Sequence, residues 1–459
     1  VLRRFLARRL NSSFVKDFTW LSASNQLSTV ASMAAFLILT RREDVPQVGR
    51  VVFAQAIAAL VMIILDVRFE DAAQRYYPLI ARSAKQEAQL FFWRIVRLDL
   101  MFGISVSVLS VALWLTSALP RTHVLDPEFL TLSLAAAGLG TATGTLRAGF
   151  AISDNLAHYS RVSFYASLAT SALLVLGTVV AGARGYLSAT VAGACVQLVW
   201  LWITCRGHLS PARHSPKNAQ PPVPEGFYRF LFSTSASSSL ALGSESGVLA
   251  MSGLLGGPAL TAFLKVAQAP GRVAQTAFSP LSTQSFPRIA HAAASGDRDA
   301  ITRLVQRMTI TVLGVGLLGL LVLSPLMSRL IAIMYGHEYA SVALPATIFA
   351  AGGLVRSAFS WTKVFAAAMG RPGVRLGAVA MEAVITLGCT SVLIVHFTDL
   401  KMRLAALATL NLTIAIGLAV FWKNAVSSAS MFPVSPSRQE STRTPQAGGC
   451  ANTRQGEVE

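Results

Sequence analysis

The sequence predicts an all-α polytopic membrane protein of twelve transmembrane helices, arranged as two six-helix parallel-repeat lobes around a central cavity. Three observations carry this. Of the 459 residues, 53% are hydrophobic and only 13% charged, with a mean hydropathy of +0.55, whereas soluble domains carry about 25% charged residues. The apolar residues fall into runs long enough to span a bilayer, at about 20 residues per helix. The second half of the chain also repeats the pattern of the first.

Apolar runs bounded by charges, Pro or Gly place spans at 17–40, 48–67, 96–119, 129–146, 162–182 and 186–205, then at 230–252, 258–282, 308–328, 343–367, 376–397 and 404–422. The first lobe thus covers 1–205 and the second 227–423. Between them, 206–226 carries Pro211, Pro216, Pro221, Pro222 and Pro224, the composition of a solvated linker. The tail, 424–459, is rich in Ser, Thr, Pro and Gly and is expected to be disordered. Pro270 and Pro280 remove backbone donors from the eighth span and are expected to kink it.

The net charge of +18 is a topology signal. With the N-terminus in the cytoplasm, most of the 39 Lys and Arg fall in cytoplasmic segments, as the positive-inside bias requires. Both termini and the Pro-rich linker are then cytoplasmic, and a nucleic-acid role loses its support. Arg3, Arg4, Arg8 and Arg9 precede an apolar segment as in a signal peptide, but the next apolar run follows at once, so a retained first span is expected. Cys195, Cys205, Cys389 and Cys450 form no C-x-x-C and imply neither a disulfide framework nor a metal site.

Sliding the chain along itself until Phe14 meets Phe227 aligns Lys16, Ser22, Ala23, Ser24 and Leu27 with Arg229, Ser235, Ala236, Ser237 and Leu240. In the same register Ala54, Gln55 and Ala56 meet Ala267, Gln268 and Ala269. Six spans per half is an even number, so the halves share one orientation, and a substrate site is expected between them.

Thr40, Arg41, Arg42, then Gly49, Asp66, Arg75, Tyr76 and Pro78 resemble the opening of the polysaccharide flippases of the MOP exporter superfamily. Gly336, His337, Glu338 and Tyr339 are similar to that family's G-x-E-Y element, and Gly370, Arg371 and Pro372 to its G-R-P turn. The sequence departs from the family's D-L-G-L turn at Asp66, Val67, Arg68 and Phe69. The resemblance spans about 14–423 and implies a MATE-like MOP fold. It also implies flipping of undecaprenyl-pyrophosphate-linked oligosaccharide across the bacterial inner membrane for O-antigen, capsule or exopolysaccharide assembly. Its partners would be the lipid-linked substrate, membrane lipid, a coupling proton or sodium ion, and polysaccharide polymerase or ligase machinery; no cofactor is implied. A multidrug exporter of the same superfamily is the nearest alternative. The major facilitator fold lacks its G-x-x-x-D loop here, since 66–85 contains no Gly. A membrane polymerase or ligase would need a long external loop, and the expected external connectors are short. No P-loop, H-E-x-x-H or G-x-S-x-G is present, so an enzyme is not expected.

A flippase must shelter a pyrophosphate inside hydrocarbon, which calls for a cationic cavity. Lys265 and Arg272 lie in the eighth span and Arg356 and Lys363 in the tenth; each pair is seven residues apart and so shares a helix face. These cations either line the cavity or pair with Glu245 and Glu382 as structural bridges. Asn25 and Gln26 belong to a polar stripe on the first helix with Ser22, Thr29 and Ser32, suited to sugar hydroxyls or to helix packing. Asp99, Glu245 and Glu382, the acids in or near spans, are candidates for ion coupling or for pairing with nearby arginines.

Overall fold

The computed structural model describes residues 13–65, 67–81, 84–117, 122, 124–152, 156–209, 227–294, 298–362, 365 and 372–427. Helix α1, Ser13–Arg42, ends on Arg41 and Arg42, cations that oppose the negative end of the helix dipole. The carboxylate of Asp44 then accepts the N–H of Gln47 (3.0 Å), and Pro46 enters the first turn of α2, Val45–Leu65. A tight reversal results. The short amphipathic α3, Phe69–Ala81, leads to α4, Lys85–Leu115, and α5, Pro127–Ile152.

Helix α6, Leu156–Leu209, folds back on itself at Ala181 and Gly182. Gly182 has φ +56° and faces the Glu43 carboxylate, which accepts the N–H of Ala183 (2.8 Å). Both its backbone angle and its neighbour therefore require glycine. Helix α7, Phe227–Ala294, reverses in the same way at Gly257, φ +83°, and Ser252 donates to Thr261 (3.2 Å) across the bend. Within α7 the backbone departs from helical angles at Gly257, and Pro270 and Pro280 keep helical angles. Then come α8, Arg298–Leu323, α9, Met327–Tyr335, α10, Ala343–Ala358, α11, Pro372–His396, and α12, Leu400–Ser427.

Among the described residues nine helical segments are long and apolar enough to cross a membrane. Two of them, Arg161–Gly207 and Gly243–Phe278, contain the reversals and supply two crossings each. Counted with α1, 30 residues long but not among those nine, the crossings come to twelve. Several ends differ from the sequence reading. The sixth crossing continues to Leu209 and the twelfth to Ser427, whereas the tenth, expected to run to 367, is interrupted after Ala358, with Thr362 and Phe365 helical again beyond the break. There Phe359 leaves helical geometry and Trp361 buries itself against Phe365 and Trp422. Residues 210–226 and 428–459 lie outside the described residues.

In the first half α1 packs on α6, α4 on α5 and α5 on α6; in the second, α10 and α11 both pack on α7 and α12. The halves meet mainly along α2 and α7, which run antiparallel. A Cβ on Gly49 would lie 1.9 Å from the Pro258 carbonyl oxygen, and one on Gly253 would strike the Phe53 ring. Farther along, Ser239 donates to the Ile63 carbonyl (2.7 Å), and the N–H of Arg68 donates to Ser235 (3.1 Å). A second seam joins α1 to α9, where the Arg41 guanidinium donates to the Ile333 and Met334 carbonyls at the helix end, and Phe36 meets Tyr335 edge-on.

The Gly49 contact is backbone against backbone and cannot relax by a rotamer change. Gly49→Val is expected to cost at least about 1–3 kcal/mol, the range for overpacking, and to lower the melting temperature in detergent. Gly140→Ala, with no atom within 4 Å of the added carbon, should leave it unchanged or raise it, since Ala is the better helix former by about 0.5–1 kcal/mol.

Candidate functional site

Where α7 crosses α10, a Cβ on Gly353 would lie 2.5 Å from the Gly271 carbonyl oxygen, so the two backbones touch. Arg272 and Arg356 emerge beside this crossing. Around them α7, α10, α11 and α12 enclose a cavity of about 520 Å³. At one end lie Arg68, which links α2 to α3, Thr362, which follows α10, Arg375, in the first turn of α11, and Trp422, in the last two turns of α12. Alternating up and down connections put all four on one side of the bundle.

The Arg272 guanidinium is 2.7 Å from the Glu245 carboxylate, with the two side chains 39% and 55% exposed. The Arg356 guanidinium donates to the Glu382 carboxylate in a tighter setting, 27% and 15% exposed. Arg375 lies two turns before Glu382 on α11 and therefore on the same face. It forms no ion pair among the described residues. Arg68, at the end just described, is held by Glu70 (2.8 Å) and Asp71 (3.3 Å). The lining thus presents four guanidinium groups and two carboxylates, and α12 adds the amide of Asn411.

Of the residues singled out in the sequence, Arg272, Arg356, Glu245 and Glu382 come together here. The two arginines both line the cavity and pair with those glutamates. Lys265, two turns before Arg272, is half-buried and within electrostatic range of Glu245 and Arg272, but it is not part of the lining. Lys363 lies outside the described residues, as do the side chains of Asn25 and Gln26 on α1. Asp99 sits apart in the first half, 3% exposed, accepting a hydrogen bond from Thr145 between α4 and α5. Apart from Arg68, the lining comes from the second half; a site shared across the repeat axis was expected.

Arg375, Arg68, Gln268, Gln275 and Asn411 were not anticipated. Arg375 and Arg68 stand at span boundaries, where a charge reads as a helix end rather than a ligand. Asn411, an amide inside an apolar run, was the legible signal. Another hollow, about 480 Å³, is an apolar furrow on α6 beside Val199 and Trp200 with no charged group. Among the described residues no group of His, Cys, Asp or Glu could hold a metal.

No family model matches the sequence, and no curated protein matches it. Solved structures do share its fold. An inward-facing multidrug resistance MATE family transporter of the MOP superfamily superposes with a TM-score of 0.58 at 14% identity, covering 87% of this chain and 94% of its own. The Vibrio cholerae MATE transporter VcmN matches at 0.58 and 16%, covering 91% and 97%. A MOP superfamily transporter from Pyrococcus furiosus matches at 0.59 and 13%, covering 90% and 95%; its description states that reverse polarity of its binding pocket suggests a different function. At identities this low the superpositions show a MATE-like fold and nothing beyond the fold.

The two ion pairs differ in burial, and their removal should differ in cost. Arg356→Ala strands Glu382 in a mostly buried position, and a loss of about 3 kcal/mol is expected, the low end of the range for breaking a buried pair. Glu382→Gln in the same chain should recover most of it. Arg272→Ala breaks a solvent-screened pair and should cost under about 1 kcal/mol. Thermal unfolding of the three variants in detergent checks the ordering.

Proposed function

We propose that this chain is a MOP superfamily transporter that flips lipid-linked, undecaprenyl-pyrophosphate oligosaccharide across the bacterial inner membrane by alternating access. The observation that carries the reading is the charge of the cavity: Arg272 and Arg356 are matched by Glu245 and Glu382, Arg68 by Glu70 and Asp71, and Arg375 is left unpaired among the described residues. A pyrophosphate ester is recognised by charge-assisted hydrogen bonds, best made by forked guanidinium groups. Arg375 is the anchor. Arg272, loosely held by an exposed Glu245, can turn to the substrate at little cost, and Arg356 can exchange Glu382 for phosphate.

The charge bias of the connectors makes the face bearing Arg68, Arg375 and Trp422 cytoplasmic, with both termini and the linker on that side. The cavity then opens toward the compartment where the lipid-linked glycan is assembled. Glu245 and Glu382, alternately paired with arginine and released, are the proposed sites for a coupling proton or sodium, with Asp99 a more remote candidate in the first half. The chain acts as a carrier and not as an enzyme in this reading.

A second reading is export of drugs, supported by the multidrug resistance MATE transporters whose fold it shares. Pocket polarity separates the two, because a lipophilic cation is repelled by surplus arginine and attracted by surplus carboxylate. Deleting the gene and locating lipid-linked intermediates is the test. Completed units stranded on the cytoplasmic leaflet are the expected result. Normal polymer with altered toxin resistance would favour drug export, and untransferred polymer outside would favour a polymerase or ligase.

A further inference from the structure

Resting on the reading of the cavity as a lipid-linked glycan site, its deep end carries chemistry that the pyrophosphate does not use. Three side-chain oxygens there, Gln268 Oε1, Thr386 Oγ1 and Thr390 Oγ1, are buried and have no hydrogen-bond partner among the described residues. Thr390 is 1% exposed, and all three residues line the cavity. A buried polar group without a partner is unfavourable and points to something that completes it. Helical hydroxyls elsewhere in this half satisfy themselves locally. Thr347, Ser391, Thr409 and Thr413 each donate to the carbonyl four residues earlier at 2.8–2.9 Å. Thr386 and Thr390 forgo that bond.

Their placement is ordered. On α11 Arg375, Glu382, Thr386 and Thr390 occupy one face, seven, four and four residues apart, and each step of four rises about 6 Å. On the facing wall α7 runs the other way and places Gln268 one turn deeper than Arg272. Both walls therefore pass from charged groups toward the Arg375 end to neutral hydroxyl and amide groups at depth. Asn411 projects from α12 into the same cavity.

We infer that Gln268, Thr386, Thr390 and Asn411 form a neutral polyol subsite that seats a sugar ring, while the pyrophosphate stays behind at the arginines. Hydroxyl and amide groups both donate and accept, which matches sugar hydroxyls and discriminates against charged or apolar groups. The cavity, about 520 Å³, falls in the range of sites that enclose a small ligand, about 300–1,000 Å³. The glycan thus enters first and the lipid tail last.

The test uses the full chain in nanodiscs and two probes, farnesyl pyrophosphate and farnesyl pyrophosphate bearing one N-acetylhexosamine, with binding read by calorimetry. The wild type is expected to prefer the glycosylated probe about tenfold, and the preference should fall to near unity in Thr386→Val/Thr390→Val. Gln268→Leu serves as the second variant should that pair fail to fold. Because no protein partner is lost, Thr390→Val should not lower the melting temperature of the ligand-free protein; a fall of several degrees would mark the hydroxyl as structural and overturn the inference. A wild-type ratio near unity, or a ratio retained in the variants, also overturns it while leaving the flippase reading intact. If neither probe binds, both fail.

Discussion

An arginine inside a membrane-spanning bundle cannot face hydrocarbon without a large desolvation cost, and this constraint organises the second half of the chain. Arg272, Arg356 and Arg375 must each meet water, a carboxylate or a ligand. The bundle meets the requirement in two ways. Glu245 and Glu382 neutralise two of the three. α7, α10, α11 and α12 stand apart below the Gly271–Gly353 crossing, leaving a polar cavity into which all three project. The first half has no such burden and closes up. Gly103 meets Gly138 and Gly177 meets Gly185 with backbones in contact, and Asp99 accepts a hydrogen bond from Thr145.

The repeat is visible in the backbone where it is absent from the chemistry. In the register that sets Phe14 on Phe227, Asp44 falls on Gly257 and Val45 on Pro258. These are the reversal between α1 and α2 and the reversal within α7. The same two points touch in space, since Gly49 packs on Pro258. Equivalent bends thus meet where the halves cross, as expected of a parallel repeat. The side chains of the two halves have diverged around that frame: Glu245 stands where the first half has Ser32, and Arg272 where it has Ala59.

The twelve crossings were legible because a bilayer imposes length and apolarity on each one separately. Pairing was not, because it depends on which helix faces become neighbours. Spacing put Lys265 and Arg272 on one face, yet the lining takes only Arg272, since the packing of α7 against its neighbours decides how much of a face opens to the cavity. The reversal in α7 comes not at Pro270 or Pro280, which keep helical angles, but at Gly257, through a positive φ. The unpaired Arg375 escaped notice for a related reason: a charge at the start of an apolar run ends a span in sequence, but in three dimensions it lines the cavity.

The central claim is that this cavity selects negative charge. Competition between farnesyl pyrophosphate and the lipophilic cation tetraphenylphosphonium for the purified chain in nanodiscs tests it most directly. Saturable binding of the pyrophosphate, unaffected by the cation and weakened about tenfold or more in Arg375→Gln, is what the account predicts, because one charge-assisted hydrogen bond contributes about 1.5–3 kcal/mol. Saturable binding of tetraphenylphosphonium that excludes the pyrophosphate, or an unchanged affinity in Arg375→Gln, would contradict it.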